Sequence, residues 1–315
     1  MQWLNGKRTP LKSLKGEVVF VYFWTFASAH CLRTLPHIKA LEQRYKNEPV
    51  RFIGVHTGEF GFERDAEHVE RALKREGITH PTILDTKFKL WNLYANRWWP
   101  RQYIIDHHGY MVHDHVGEGG YDSTELALQK ALVNAGSGEL PYVEDQSALA
   151  GATYYRTTEE QYLGFLRGRF GNAERTLPND EQAFLLPRQM SADTVYLSGH
   201  WLSTKESIVH DRKLSGSKDA VVIRYHGFTA DAVMERTGRE VPTLEITLDG
   251  KPIPQDMMGK DLVLHEGRTV CEVRESRLYN LVNSSIYHGG TLKIATSSRG
   301  LAIYVLSFGG APGIV

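Results

Sequence analysis

Cysteine is scarce in this chain: two in 315 residues, Cys31 and Cys271. That excludes a secreted disulfide framework, which needs several pairs to stand in for a small core. One bridge is left open by arithmetic, and Cys271 reads as a buried strand residue, because free cysteine packs as a small hydrophobe. Net charge is lacking as well, with 37 basic against 37 acidic residues. No global field therefore draws in nucleic acid or an anionic membrane surface. No apolar run approaches the ~18 to 20 residues of a transmembrane helix. The opening Met1-Gln2-Trp3-Leu4-Asn5-Gly6 lacks the basic and apolar regions of a signal peptide. The expectation is a cytoplasmic chain or one from which a targeting segment has been cut. Internal repeats and low-complexity tracts are absent too. What remains is a globular composition at a length that suits two domains.

The first half alternates strands and helices. Val18 to Phe23 is a continuous apolar run, suited to a strand buried on both faces of a parallel or mixed sheet. Leu32, Leu35, Ile38, Leu41 and Tyr45 recur at helical spacing, with Pro36 expected to kink the helix. Arg51 to His56 is a second strand, and Asp65 to Glu76 a charged surface helix with Val69, Ala72 and Leu73 inward. Thr82 to Leu84 reads as a short strand, Phe88 to Tyr94 as a short helix. Gln102 to Ile105 and Tyr110 to Val116 form a hairpin about His107-His108-Gly109, and Leu126 to Val133 is a closing helix. The order predicts an α/β fold with a mixed sheet over residues 1–136.

Residues 137–185 carry few periodic signals and read as a linker and lead-in, with one or two short helices around Glu159 to Arg167. From Thr194 onward the pattern has period two. Leu244, Ile246 and Leu248 alternate with Glu245 and Thr247, and turn signals such as Asp249-Gly250 and Gly289-Gly290 separate the runs. Residues 186–315 are expected to form an all-β, jelly-roll-like sandwich.

The chemistry-bearing segment runs from Phe23 to Pro36: Trp24, Thr25, Phe26, Ala27, Ser28, Ala29, His30, Cys31, then Leu32-Arg33-Thr34-Leu35-Pro36. A buried strand feeds a tight loop and then a helix. A thiol in the first helical turn lies at the positive end of the macrodipole, where ionisation is easier. On Trp24, Cys31 and Leu32 to Pro36 the segment resembles the thioredoxin superfamily, in particular the TlpA/ResA-like branch and the soluble part of DipZ-type cytochrome c biogenesis proteins. Gly54-Val55-His56-Thr57-Gly58-Glu59 resembles the segment where that branch keeps an acidic residue near its dithiol, and Trp98-Trp99-Pro100 resembles its cis-proline loop.

The resemblance implies a thioredoxin-like α/β fold and thiol–disulfide exchange on protein thiols or disulfides outside the cytoplasm, in the periplasm. It implies neither cofactor nor metal. Cys31 stands at the resolving cysteine, Glu59 at the proton acceptor, Pro100 at the backbone that pairs with a substrate strand, and Trp24 and Trp99 beside it. The place of the attacking cysteine holds Ser28. A hydroxyl without a dedicated base cannot replace a thiolate, so the dithiol cycle is expected to be impaired. Ser28 is open to several accounts: a substitution that disables the site, a helix N-cap in a degenerate peptide- or carbohydrate-binding module, or the neighbour of a monothiol Cys31. The last is similar to the Thr/Ser-x-x-Cys of peroxiredoxins, whose cysteine is oxidised to a sulfenic acid, but Trp24 stands where those enzymes place proline.

His30, between Ser28 and Cys31, is placed to stabilise a thiolate. His113 and His115 share a strand face, yet no Cys/His spacing matches a zinc site, and they read as solvated surface histidines. In the β region Trp201, Tyr225, Tyr279 and Tyr287 offer either core or a sugar-stacking platform. There the Tyr162-Leu163-Gly164 and Ser276 to Val282 segments resemble the carbohydrate-binding-module-like sandwich of DipZ-type proteins.

Overall fold

The computed structural model describes residues 1–143, 155–173 and 177–309. It divides into two compact units, the first within residues 1–153 and the second within residues 154–314.

In the first unit the elements are β1 (Gln2–Leu4), β2 (Val18–Trp24), α1 (Ala29–Arg44), β3 (Val50–His56), α2 (Ala66–Arg75), β4 (Thr82–Leu84), α3 (Lys89–Leu93), β5 (Arg101–Ile105), β6 (Met111–Val116) and α4 (Tyr121–Asn134). The sheet order is β1-β4-β3-β2-β5-β6. β2 pairs parallel with β3, from Val18↔Val50 to Trp24↔His56, and antiparallel with β5. β3 pairs parallel with β4, and β1 and β6 are antiparallel edges. This is a thioredoxin-like mixed sheet. All seven residues of β2 are buried, which explains its unbroken apolar run.

The two faces of the sheet differ. Side chains alternate along a strand, so Val19, Val21 and Phe23 join Ile53, Val55, Ile83, Trp91 and Tyr103 in one apolar cluster. The opposite face carries Phe20 and Phe52, stacked with centroids 5.0 Å apart. Toward the strand ends that face becomes polar, with Tyr22, Trp24, His56 and Thr82. This polar end lies where β2 runs into α1.

The hairpin turn forms as expected. Asp106 Oδ1 accepts the N–H groups of His108 (3.0 Å) and Tyr110 (2.8 Å), and Gly109 supplies the positive φ of 95°. β1 was not anticipated: Gln2–Leu4 carries no turn signal or apolar run of its own and is held by pairing with β4. α1 continues through Pro36 to Arg44.

In the second unit the strands are β7 (Gln161–Tyr162), β8 (Glu181–Phe184), β9 (Val195–Ser203), β10 (Ile208–His210), β11 (Asp219–Arg236), β12 (Thr243–Leu248), β13 (Lys251–Pro252), β14 (Val263–His265), β15 (Arg268–Glu272), β16 (Arg277–Thr296) and β17 (Leu301–Gly309). They are all-β around one core that includes Trp201, Tyr225, Tyr279 and Cys271. The helices expected around Glu159 to Arg167 are not formed. Tyr162 and Gln161 instead pair with Val305 and Leu306 of β17. Gly164 then passes so close to the backbone of Lys205 and Glu206 that a Cβ would lie 2.3 Å from the Glu206 carbonyl carbon. Packing against a neighbouring strand thus overrides the local helical signal. Of the expected linker, residues 144–154 and 174–176 lie outside the described residues.

Phe20 is wholly buried in the first unit. Phe20→Ala should lower unfolding free energy by about 3–5 kcal/mol, read as a lower midpoint in a urea titration of that unit.

Candidate functional site

The site is built where β2 ends. Ser28 has extended backbone angles (φ −96°, ψ 122°), and its Oγ accepts the Cys31 N–H at 3.4 Å, capping α1. Cys31 follows in the first turn, 1% exposed. Its Sγ accepts the Thr25 N–H at 3.5 Å.

Two effects compete at this thiol. The helix N-terminus favours a thiolate, as do the Thr25 amide and the Ser28 hydroxyl. Burial opposes them and wins, pushing the thiol up to about 12, with the Glu63 and Glu59 carboxylates adding to the rise. A buried thiol held protonated is unlike an exposed peroxidatic cysteine. Cys271, on β15, is likewise buried and pushed up to about 12, first by burial.

The acidic group nearest the heart of the site is Glu63, which sequence reasoning missed. It is fully buried. Oε1 accepts the Thr25 hydroxyl, in a short hydrogen bond, and the Ala27 N–H at 3.0 Å. Oε2 accepts the N–H groups of Glu59 and Phe60, both at 2.9 Å. Burial raises its carboxyl to about 7 in spite of those donors. One signal for it existed in the sequence: Gly58. A Cβ there would sit 2.6 Å from Glu63 Cβ, so only glycine admits the close approach. Glu59, the expected proton acceptor, is half-buried, touches Glu63 through its backbone N–H, and affects Cys31 less than Glu63 does.

Beneath the loop lies the polar end of the sheet. Trp24 is fully buried, edge-on to His56 at 5.1 Å, so it supports the loop and cannot touch a partner. His56 is buried and stacked on Phe26, and burial lowers it to about 3, so it is neutral. The Tyr22 hydroxyl meets His80 Nε2 at 2.7 Å, and His80 Nδ1 meets Glu42 at 2.8 Å. On the outer side His30 Nδ1 and the Arg33 guanidinium converge on Glu118, from the loop after β6. Burial works to raise the Glu118 carboxyl, but the His30 and Arg33 hydrogen bonds and charges hold it at about 2. His30 is thereby engaged by Glu118.

The Trp99–Pro100 peptide is cis. Pro100 is buried and Trp99 half-buried, packed on Trp91 at 4.2 Å, whereas Trp98 is 54% exposed. The exposed lip is thus Trp98 rather than Trp99.

Two further readings are settled by burial: the surface histidines are corrected, and of the two alternatives for the β-region aromatics the core is found for three. His113 and His115 are half-buried rather than solvated, and His113 Nε2 lies 3.3 Å from the Thr124 hydroxyl on α4. Trp201, Tyr225 and Tyr279 are core residues, each at most 1% exposed, so no sugar platform forms from them. Tyr287 alone of the four is half-exposed, stacked on Tyr155 at 4.6 Å. Among the described residues no cluster of three metal-ligating side chains is present, and no helix is long and apolar enough to cross a membrane.

Comparison with known proteins adds to this geometry. Residues 3–132 match the Redoxin family, and residues 158–309 match a family described as a thioredoxin like C-terminal domain. Protein DipZ of Mycobacterium tuberculosis is 32% identical over 263 residues, 82% of this chain and 36% of that protein. The chain therefore spans about a third of the length of the DipZ relatives it matches. Thiol-disulfide oxidoreductase ResA of Halalkalibacterium halodurans is 31% identical over 114 residues, 36% of this chain and 62% of that one. A solved thiol-disulfide isomerase from Corynebacterium glutamicum aligns with 42% of this chain and 91% of its own, at 19% identity and a TM-score of 0.40.

Raising the thiol from 9.0 to about 12 cuts its thiolate fraction by about a thousandfold. Iodoacetamide should accordingly label Cys31 far more slowly in the native protein than in denaturant; equal rates would contradict the burial argument. Glu63 has a linked effect on folding. Its carboxyl keeps a proton in the fold up to about 7, against 4.5 for the ordinary group. The stability it contributes is full below 4.5, falls as pH rises to about 7, and stays level above. The total is roughly 3 kcal/mol. Denaturant titrations across pH 4–8 should show that decline, and Glu63→Gln should flatten it.

Proposed function

The chain belongs to the thioredoxin superfamily and resembles DipZ, and from that premise we propose that its parent reaction is thiol–disulfide exchange on protein partners, stopped here at its first step by Ser28. In that reaction a thiolate at position 28 attacks a partner disulfide and forms a mixed disulfide, releasing one partner thiol. A Cys31 thiolate then attacks the sulfur at position 28, closes a 28–31 disulfide and frees the second partner thiol, so two electrons pass to the partner. A serine oxygen forms no such bond.

The observation that carries the reading is the position of Cys31. It is buried in the first turn with its thiol held protonated, one turn from the cap at Ser28. That suits a second-step cysteine sheltered until a partner engages, and it does not suit a lone nucleophile. The exposed Trp98 beside the buried Pro100 supports a surface for an extended partner strand. Ser28 leaves that surface in place, so peptide binding without turnover is what the chain retains. An extracytoplasmic location belongs to the same reading, by resemblance to DipZ and ResA.

For the second unit we propose a jelly-roll-like sandwich with a docking role. β11 gives residues 220–223 to β9 and residues 229–236 to β17. A strand that changes neighbours along its length turns one sheet into two layers.

Insulin reduction by dithiothreitol tests the reading. The protein as given should add nothing to the rate with dithiothreitol alone, and Ser28→Cys should accelerate it. Equal catalysis by both proteins would overturn the proposal. An inert Ser28→Cys variant would show that the rest of the site has eroded and that the fold serves binding alone.

A further inference from the structure

On its outer side the first turn of α1 is tied to the loop after β6. Arg33 Nε donates to both oxygens of Glu118, at 3.1 and 3.0 Å, and Nη2 donates to Oε1 at 2.8 Å. His30 Nδ1 meets the same Oε1. An ionised carboxylate only accepts, so that ring nitrogen carries the proton. His30 and Arg33 stand three residues apart on one helix face, and all three side chains are half-buried.

Glu118 owes its place to the sheet. Arg101 and Val116 end the pairing of β5 with β6, and the Gly117 N–H continues that ladder to the Pro100 carbonyl at 2.9 Å. Gly117, Gly119 and Gly120 flank the glutamate with φ of 85°, 80° and 59°, a left-handed backbone that strains other residues. At Gly120 a Cβ would also lie 2.6 Å from His115 Cε1. Three glycines thus set one carboxylate between the cis-proline and the start of α1. A surface ion pair adds little to stability, so bracing α1 is a weak reason for so particular a turn. His30, however, stands between positions 28 and 31, where an unopposed imidazolium would favour a neighbouring thiolate.

We propose that Glu118 is a positioning residue for His30: it draws the imidazole toward the loop after β6 and offsets the cationic charge of His30 and Arg33 beside position 28. The inference rests on the reading of position 28 as the place of the attacking thiol. A thiolate there gains less from its neighbours while Glu118 is present. The reduced form is then not favoured, and a dithiol at this site gives up its electrons more readily.

Ser28→Cys in the full chain supplies the probe. Iodoacetamide alkylation at position 28, mapped by mass spectrometry at one pH just below neutrality, reports the thiolate. Glu118→Gln should raise the rate about three- to tenfold, the effect of one nearby charge on a thiol. Glu118→Asp keeps the charge and should stay near the parent rate. With His30→Ala added, Glu118→Gln should lose most of its gain. An unchanged rate in Glu118→Gln, or an equal gain with and without His30, would overturn the proposal. An equal gain in Glu118→Asp would mark a merely loosened loop and overturn it as well.

The unsubstituted protein gives a second reading that needs no variant to fold. In nuclear magnetic resonance spectra the His30 ring should keep a proton on Nδ1 whether neutral or charged. A neutral ring protonated on Nε2 alone would overturn the role assigned to Glu118. Neither readout involves disulfide exchange. An inert Ser28→Cys variant in the insulin assay would leave both standing, and their failure would leave the insulin result standing.

Discussion

Four residues, 25 to 28, carry the chain from a wholly buried strand into a helix, and three of their four N–H groups go to side chains instead of the main chain. The Thr25 N–H goes to Cys31 Sγ, the Phe26 N–H to His56 Nε2 and the Ala27 N–H to Glu63 Oε1. Only the Ser28 N–H finds a main-chain oxygen, that of Thr25 at 3.4 Å. Buried amides must be paired somewhere, so the loop takes its shape from three side chains brought in from α1, β3 and the segment beyond. Position 28, and whatever chemistry stands there, inherits its place from those contacts.

The same arrangement decides the state of Cys31. A helix N-terminus is worth a fraction of a kcal/mol up to ~2 kcal/mol to a neighbouring anion, and burial beside two carboxylates outweighs it. The thiol is consequently a protected group. In a dithiol site that protection suits a cysteine that must wait for a mixed disulfide to form. On the proposed reading serine at 28 forms no such intermediate and Cys31 stays sheltered, while the Ser28 hydroxyl caps α1.

Much of the first unit was legible because its signals were local or strongly periodic. The unbroken run in β2 marked a strand buried on both faces, Leu35, Ile38 and Leu41 marked α1, and Asp106 with Gly109 marked the hairpin turn. Trp24, Cys31 and the helix start pointed to the thioredoxin superfamily. What escaped depended on contacts distant in sequence. Glu63 is an acidic residue in a charged, glycine-containing stretch, and only its approach to residues 25 and 27 makes it a buried carboxylate. Glu118 is joined to His30 and Arg33 across 88 and 85 residues. In the second unit the aromatics could be read as core or as platform, since period-two patterning marks a face without saying which layer covers it. The lead-in carried helical signals that pairing with β17 overrode.

The central claim is that everything except residue 28 is in place for a dithiol cycle. The most direct measurement is the redox equilibrium of Ser28→Cys in buffers of graded glutathione potential, read by the fraction of 28–31 disulfide after acid quench and thiol labelling. The account predicts a single two-electron transition, with the disulfide forming reversibly inside the protein. Mixed glutathione adducts at position 28 without closure to Cys31, or no oxidation at all, would contradict it.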